Sequence, residues 1–312
     1  MSISTTHQKS MVKAIVFDAY GTLFDTNSVS DTLEAAFPRR GDYLTQIWRL
    51  KQLEYSWLRA LSGDYRHFGE ITRDALRYSL STIGIAAEPE QIDRLARSYD
   101  ALRLFPDALA MLDGVSKLRL AVFSNGSPGM LAALLGNAGI TDRFEDIISV
   151  DDVRTFKPNP KTYRLACTRL NLPPEEVLLV SSNGFDLHGG SHFGLRTARI
   201  ARLSADRLEA QLSAETVGPA EMFLALRSQL EHLTSEPDIS VAALLDLPEA
   251  VRALTASSQP GSLSAITLGC RISGITASRS PARDMRASAM RPARWAWRPA
   301  SSLKASKMPK VV

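Results

Sequence analysis

VKAIVFDAYGTLFDT, residues 12–26, decides how the rest of the chain is read. Val12, Ile15, Val16 and Phe17 form a β-branched and aromatic run without polar alternation, the pattern of a strand buried on both faces of a parallel sheet. The run ends at Asp18, and open α/β sheets bind their ligands at the carboxyl ends of strands. Gly21 permits the turn that follows, and Thr22 offers a hydroxyl to whatever Asp18 holds. A carboxylate on a rigid strand tip has a fixed angle of approach, which suits a nucleophile. An aspartate before a turn also suits a helix N-cap, so the segment alone leaves both readings open.

Four further strand patterns follow, at 118–125 (LRLAVFSN), 144–150 (FEDIISV), 177–183 (VLLVSSN) and 196–201 (RTARIA), with helical patterns at 127–138, 160–171 and 186–193. Strands and helices alternating at these lengths predict right-handed crossovers and an α/β fold with a doubly wound, mostly parallel sheet. About ninety residues separate the first strand from the second, far more than a crossover needs. Helical patterns at 45–61, 71–84 and 89–102 occupy that gap. Residues 27–105 are therefore predicted to be an inserted helical cap over the strand tips. A second excursion, 204–233, divides at Pro219 and predicts an αα-hairpin. The sheet core then comprises 12–26, 106–203 and 234–254. Beyond it, 255–312 is rich in Ser, Ala, Arg and Pro without period and is predicted to be a disordered basic tail.

With 45% hydrophobic and 22% charged residues the chain reads as soluble and globular. No apolar stretch reaches the ~18 residues of a membrane span, and the opening MSISTTHQKS lacks the apolar centre of a secretory signal. Two cysteines, Cys167 and Cys270, cannot form a disulfide framework, so a cytoplasmic protein with reduced thiols is expected. Cys167 falls on an apolar helical face and is expected to be buried and inert. The basic pI of 9.1 misleads. Ten Lys and Arg against one acid, Asp284, lie between Ser257 and Val312, and the remainder is net acidic. The folded part gives no reason to expect nucleic acid or membrane as a partner. RPARWAWRPASSLKASK (291–307) mixes basic and tryptophan residues that adhere to polyanions or anionic membrane. It lacks an amphipathic period, and a nonfunctional extension of the kind a reading-frame change produces is the favoured reading.

Polar residues end the other strands on the edge that Asp18 occupies. Ser124 and Asn125 end the second, Lys157 lies in the loop TFKPNPKTY, and Ser181, Ser182 and Asn183 end the fourth, with Asp186 three residues on. Each is unremarkable alone, as a turn residue or a solvated lysine. Together they place carboxylates, hydroxyl and amide donors and an ammonium where strand tips converge, which suits stabilising charge at one atom. His188 and His192 stand at i, i+4 but lack a third ligand, and are read as surface or packing residues.

The order Asp18…Thr22, Ser124-Asn125, Lys157, Ser181…Asp186 resembles the haloacid dehalogenase superfamily over residues 12–254, whose core is Rossmann-like. Phosphatases of that superfamily carry a second Asp two positions after the nucleophile, as general acid and magnesium-facing group. Here that position is Tyr20, which argues against phosphoryl transfer. DAYGTLFD (18–25), WRLKQLEYSWLRAL (48–61), FSNGSP (123–128), SVDDVRTFKP (149–158) and VSSNGFD (180–186) are similar to the hydrolytic, type II L-2-haloacid dehalogenases.

That resemblance implies attack by Asp18 on Cα of a short L-2-haloalkanoic acid, expelling halide and leaving an ester. Water then attacks the Asp18 carboxyl carbon, so the product is the inverted D-2-hydroxy acid. It further implies that Arg49, with Asn125 and Phe185, meets the halide, while Ser124 and backbone donors at Ala19 and Tyr20 bind the substrate carboxylate. Lys157 offsets the charge of Asp18 with Ser181 nearby, Asn183 and Asp186 place the lysine and the water, Thr22 orients Asp18, and Tyr163 supports the Lys157 side. No metal or cofactor is expected, and the partners are the haloacid, water and halide. The 204–233 excursion resembles that of longer members, where it helps form a homodimer.

These roles agree with elementary physics. A guanidinium and an amide N–H can meet a departing halide. A carboxylate attacks best when dry, and Trp48, Trp57 and Phe68 of the cap can exclude water. One departure is Leu50, where the family often has glutamine after the arginine, which bears on the pocket's size or polarity. A magnesium-dependent phosphatase and a binding protein acting through the tail are the rival readings.

Overall fold

The Ala-Ile-Val-Phe run forms strand β1 (Ala14–Phe17), with every residue buried. A strand without a polar face needs cover on both sides, and the chain supplies it by crossing to each flank in turn. This is seen in a computed structural model that describes residues 11–227, 229–233 and 236–257. The N-terminal ten residues and 258–312, including Cys270 and most of the predicted tail, lie outside the described residues.

After β1 the chain turns at Gly21, whose φ of 88° is readily adopted only by glycine, and enters the short strand β2 (Phe24–Asp25). β2 pairs antiparallel with β3 (Arg103–Leu104), so the chain leaves the sheet and returns to it at one place. Between them run α1 (Ser30–Ala36), α2 (Gly41–Ser62), α3 (Phe68–Ser81) and α4 (Pro89–Ala96). α2 buries Leu44, Trp48, Leu53 and Ser56 on its inner side and stops at Gly63, a left-handed C-cap with φ 71°. The same helix buries Gln46, Arg49 and Gln52.

From β3 the chain continues through α5 (Ala108–Gly114), β4 (Arg119–Ser124), α6 (Pro128–Asn137), β5 (Asp146–Ser149) and α7 (Pro160–Leu170). It then forms β6 (Val177–Ser181), α8 (Gly184–Phe193), β7 (Arg196–Ile200), α9 (Ala205–Ser213) and α10 (Pro219–Arg227). β8 (Ile239–Val241) and α11 (Leu247–Ser257) complete it. Among the described residues the main sheet has six strands in the order β5-β4-β1-β6-β7-β8, every pair parallel. Ile15 stands opposite Leu120 on one side and Leu178 on the other. The strand order reverses at β1, which opens a crevice at its carboxyl end between β4 and β6. Asp18 is the residue at that point.

The doubly wound sheet and its alternating helices are as the sequence predicts. Three details differ. β8 and the β2–β3 ribbon escape the pattern because strands of three and two residues show no period. α8 starts at Gly184, ahead of the expected 186, because Asn183 already adopts the extended backbone that precedes a helix. The second helix of the αα-hairpin ends at Arg227 instead of running to 233. Past it, the Gln229 carbonyl lies against Gly184, where an added Cβ would come within 2.2 Å of that oxygen.

Cys167 is buried on α7, and burial pushes its thiol up to about 11, so the thiolate is scarce at neutral pH. His188 and His192 stack on one another with ring centroids 6.2 Å apart. Among the described residues no helix is long and apolar enough to cross a membrane.

Candidate active site

Asp18 is 6% exposed. Its Oδ2 accepts hydrogen bonds from Asn183 Nδ2 (2.7 Å), Thr22 Oγ1 (3.0 Å) and Ser181 Oγ (3.5 Å), whereas among the described residues Oδ1 meets only Lys157 Nζ, at 3.4 Å. No backbone N–H donates to this carboxylate among the described residues, so it does not cap a helix. Asn183 behaves in the same way. It occupies the N-cap position of α8 without capping it, because its amide spans Asp18 Oδ2 and the Tyr20 carbonyl (3.1 Å). Thr22 Oγ1 in turn accepts from the Ser182 backbone N–H at 2.9 Å, which fixes the hydroxyl.

Lys157 is fully enclosed. Its ammonium donates to the Phe123 carbonyl (2.8 Å) and Asp186 Oδ2 (2.9 Å), besides Asp18, and lies 4.0 Å from the Phe123 ring centroid. Asp186 receives Tyr163 OH at 3.0 Å. Burial raises the Asp186 carboxyl above the usual range while Lys157 pulls it back. Burial and the nearby Asp186 charge keep the Tyr163 phenol protonated. Two carboxylates and one ammonium thus form a buried chain, Asp18–Lys157–Asp186–Tyr163.

The remaining expected residues surround this chain without joining it. Ser124 is buried at the tip of β4, and its Oγ accepts the Gly126 N–H at 3.2 Å. Asn125 accepts the Lys157 N–H through Oδ1 (3.0 Å), and its amide N–H groups have no acceptor among the described residues. The Ala19 and Tyr20 backbone N–H groups have no partner among the described residues and follow directly on Asp18. Two such adjacent donors make a small anion-binding concavity. Arg49 is 4% exposed; its guanidinium lies 5.7 Å from the Tyr20 ring centroid and donates from Nη1 to Gln52 Oε1 at 2.5 Å. Among the described residues no hydrogen bond joins Arg49 to Asn125, and no cation–π contact joins it to Phe185. Phe185 instead meets Trp57 edge-on at 5.3 Å, and Trp57 Nε1 donates to the Lys157 carbonyl at 3.1 Å. A cavity of about 510 Å³ opens here, lined by Trp57, Phe156, Pro158, Phe185 and Arg227.

Tyr20 packs its ring 5.9 Å from both Phe68 and Tyr99, and its hydroxyl is buried without a hydrogen-bond partner among the described residues. Burial raises this phenol far above its ordinary value, with Arg49 opposing, so it is neutral at any physiological pH. Trp48 and Phe68 are also fully buried and wall the site from solvent.

Two groups here escaped the sequence reading. Gln52 holds Arg49 and is itself anchored through Nε2 to Thr72 Oγ1 at 2.7 Å; its i, i+3 spacing from Arg49 is the available signal. Leu50 is half-buried, and the amide that meets the arginine comes one turn further on. Arg227, at the end of α10, lines the cavity beside Trp57.

A strand-tip carboxylate with fixed donors at the switch point of a doubly wound sheet defines a carboxylate-centred crevice of an α/β fold. Residues 12–194 match the haloacid dehalogenase-like hydrolase family, and the chain belongs to it. An (S)-2-haloacid dehalogenase of Xanthobacter autotrophicus is 50% identical over 244 residues, which cover 78% of this chain and 96% of that relative. One of Pseudomonas putida is 38% identical over 218 residues, 68% of this chain and 95% of the relative. Among solved structures, the X. autotrophicus L-2-haloacid dehalogenase with chloropropionic acid covalently bound matches with a TM-score of 0.75 at 50% identity, covering 78% of this chain and 99% of the other.

Proposed function

We propose that this chain hydrolyses short L-2-haloalkanoic acids to D-2-hydroxy acids through an ester on Asp18. The observation that carries the reading is the asymmetry of the Asp18 carboxylate. Oδ2 is engaged by three donors, and Oδ1 has one long contact to Lys157. Oδ1 therefore retains lone pairs for an in-line attack on Cα, forming the C–O bond as the C–halogen bond breaks and halide leaves with the pair. Ser124 and the Ala19 and Tyr20 N–H groups hold the substrate carboxylate, while Arg49, Asn125 and Phe185 receive the halide.

In the second step water attacks Cγ of Asp18. Charge then develops on Oδ2, where Thr22, Ser181 and Asn183 already donate, the requirement for an oxyanion hole. Asp186, with its raised affinity for protons, takes the water's proton. The bond from Cγ to the substrate oxygen breaks, and Lys157, in contact with both Oδ1 of Asp18 and Asp186, gives the leaving alkoxide a proton and recovers it from Asp186. Because attack falls on Cγ, the inversion set in the first step is retained in the product.

A phosphatase reading is less well supported. Tyr20 provides no acid, and the Asn183 amide already donates to Asp18 Oδ2 and the Tyr20 carbonyl, so these oxygens would have to give up that donor to help hold a cation. The test is halide release from L- and D-2-chloropropionate with EDTA present, beside p-nitrophenyl phosphate with magnesium. Chloride and D-lactate are expected from the L isomer alone, unchanged by EDTA. Magnesium-dependent phosphate release without chloride would replace this reading with the phosphatase.

In the proposed organisation 27–105 caps the sheet, and Tyr65 and His67 of that segment both hydrogen-bond Asp151 beyond β5. The 204–233 hairpin exposes Leu212, Met222 and Leu226 by more than half each, an apolar strip suited to a second copy of this chain. Light scattering is expected to give a dimer mass; a monomer that persists at micromolar concentration would remove this assignment.

A further inference from the structure

Arg227 has no part in the chemistry above. It ends α10, and its guanidinium carbon lies 5.1 Å from the Trp57 ring centroid, one ring away from Phe185 and from the loop that carries Lys157. Its Nε is buried with no hydrogen-bond partner among the described residues, and the side chain lines the 510 Å³ cavity with Trp57, Phe185 and Glu231. Glu231 and Glu54 are the opposing charges that act on it, but neither forms an ion pair with it among the described residues. Burial, and then the like charge of Arg49, hold its pKa below the ordinary arginine value. The buried Nε of Arg227 lacks a partner beside a cavity walled largely by Trp57, Phe156 and Phe185, and a small anion there supplies the missing acceptor.

We propose that Arg227 is a second anion-binding group of this site, drawing the haloacid carboxylate into the cavity and holding the released halide on its way out. The inference rests on the dehalogenase reading and assigns it a residue from the C-terminal hairpin. The alternative is a purely structural stack on Trp57, favoured by a cation at a helix C-terminus.

Arg227→Gln and Arg227→Lys in the full chain separate the two. Bromide affinity is read from tryptophan fluorescence without substrate, and kcat and KM for L-2-chloropropionate are measured at low and high salt. Arg227→Gln is expected to weaken bromide binding and raise KM by about tenfold each, to lower kcat by less, and to flatten the salt dependence of kcat/KM. Arg227→Lys should restore most of the bromide affinity. Wild-type bromide affinity and salt dependence in Arg227→Gln would overturn the proposal. So would equal losses in both variants with a lowered Tm, or a wild-type protein that binds no bromide. Bromide binding that depends on Arg227 in a protein releasing halide from neither isomer would overturn the dehalogenase reading and leave the anion site standing.

Discussion

Asp18→Asn is expected to abolish halide release, with kcat falling by at least about 10⁴-fold, the scale of nucleophile removals elsewhere. The substitution keeps the shape of the side chain and removes the lone-pair basicity that Oδ1 brings to the attack. It also deletes one of the two carboxylates that face Lys157, leaving the Asp186 pair at 2.9 Å in place. The fold should therefore survive, and a retained Tm separates lost chemistry from lost structure. The ester has a second consequence, for the wild-type protein. In a single turnover with enzyme in excess and H₂¹⁸O as solvent, the product hydroxyl comes from the Asp18 carboxylate and carries no label. The solvent oxygen enters Asp18, and labelled product appears only on later turnovers. Labelled product in the first turnover would mean that water attacks Cα directly, and the two-step reading would fall even with Asp18 essential.

How much of this was legible beforehand depends on the physical origin of each feature. β1 was legible because its apolar run has one explanation, burial on both faces, and the ~90-residue gap after it required an insertion. The cluster of Asp18, Lys157, Asn183 and Asp186 was legible because parallel topology brings every strand tip to one edge, so local positions imply a spatial one. Arg227 was not legible, and Gln52 only through its i, i+3 spacing from Arg49. Each is a long polar residue on an amphipathic helix, and sequence periodicity assigns such residues to the solvated face. Only the packing of α2 on α3 buries Gln52, and only the approach of α10 brings Arg227 over Trp57. The truncated α10 has a similar origin. Its helical pattern continues past Arg227, but the chain beyond it packs against Gly184, a contact 45 residues away in sequence.

Lys157→Met carries the largest effect expected on stability, and its pH dependence identifies the cause. The ammonium is 1% exposed and faces Asp186 and Asp18, both buried. Removing one partner of such a pair leaves an uncompensated charge and typically costs about 3–5 kcal/mol. Asp186 can escape part of that cost by taking a proton, since burial already raises its pKa and Lys157 is the first influence opposing it. In the variant the folded-state pKa of Asp186 rises further above the unfolded value, so the native state binds more protons than the unfolded state between them. Stability then falls as pH rises through that window. Denaturant unfolding should accordingly show the deficit largest in mildly alkaline buffer and smallest near pH 5. A deficit equal at both would assign the loss to packing around the Phe123 ring, 4.0 Å from the ammonium. The double variant Lys157→Met/Asp186→Leu removes both buried charges and should recover much of the stability, because an apolar replacement of a buried pair is often neutral or better. It should recover no activity, since nothing then offsets the charge of Asp18 or accepts the proton of the attacking water. Recovery of turnover together with stability would make Lys157 and Asp186 a structural pair and leave Asp18 to act with Thr22, Ser181 and Asn183 alone.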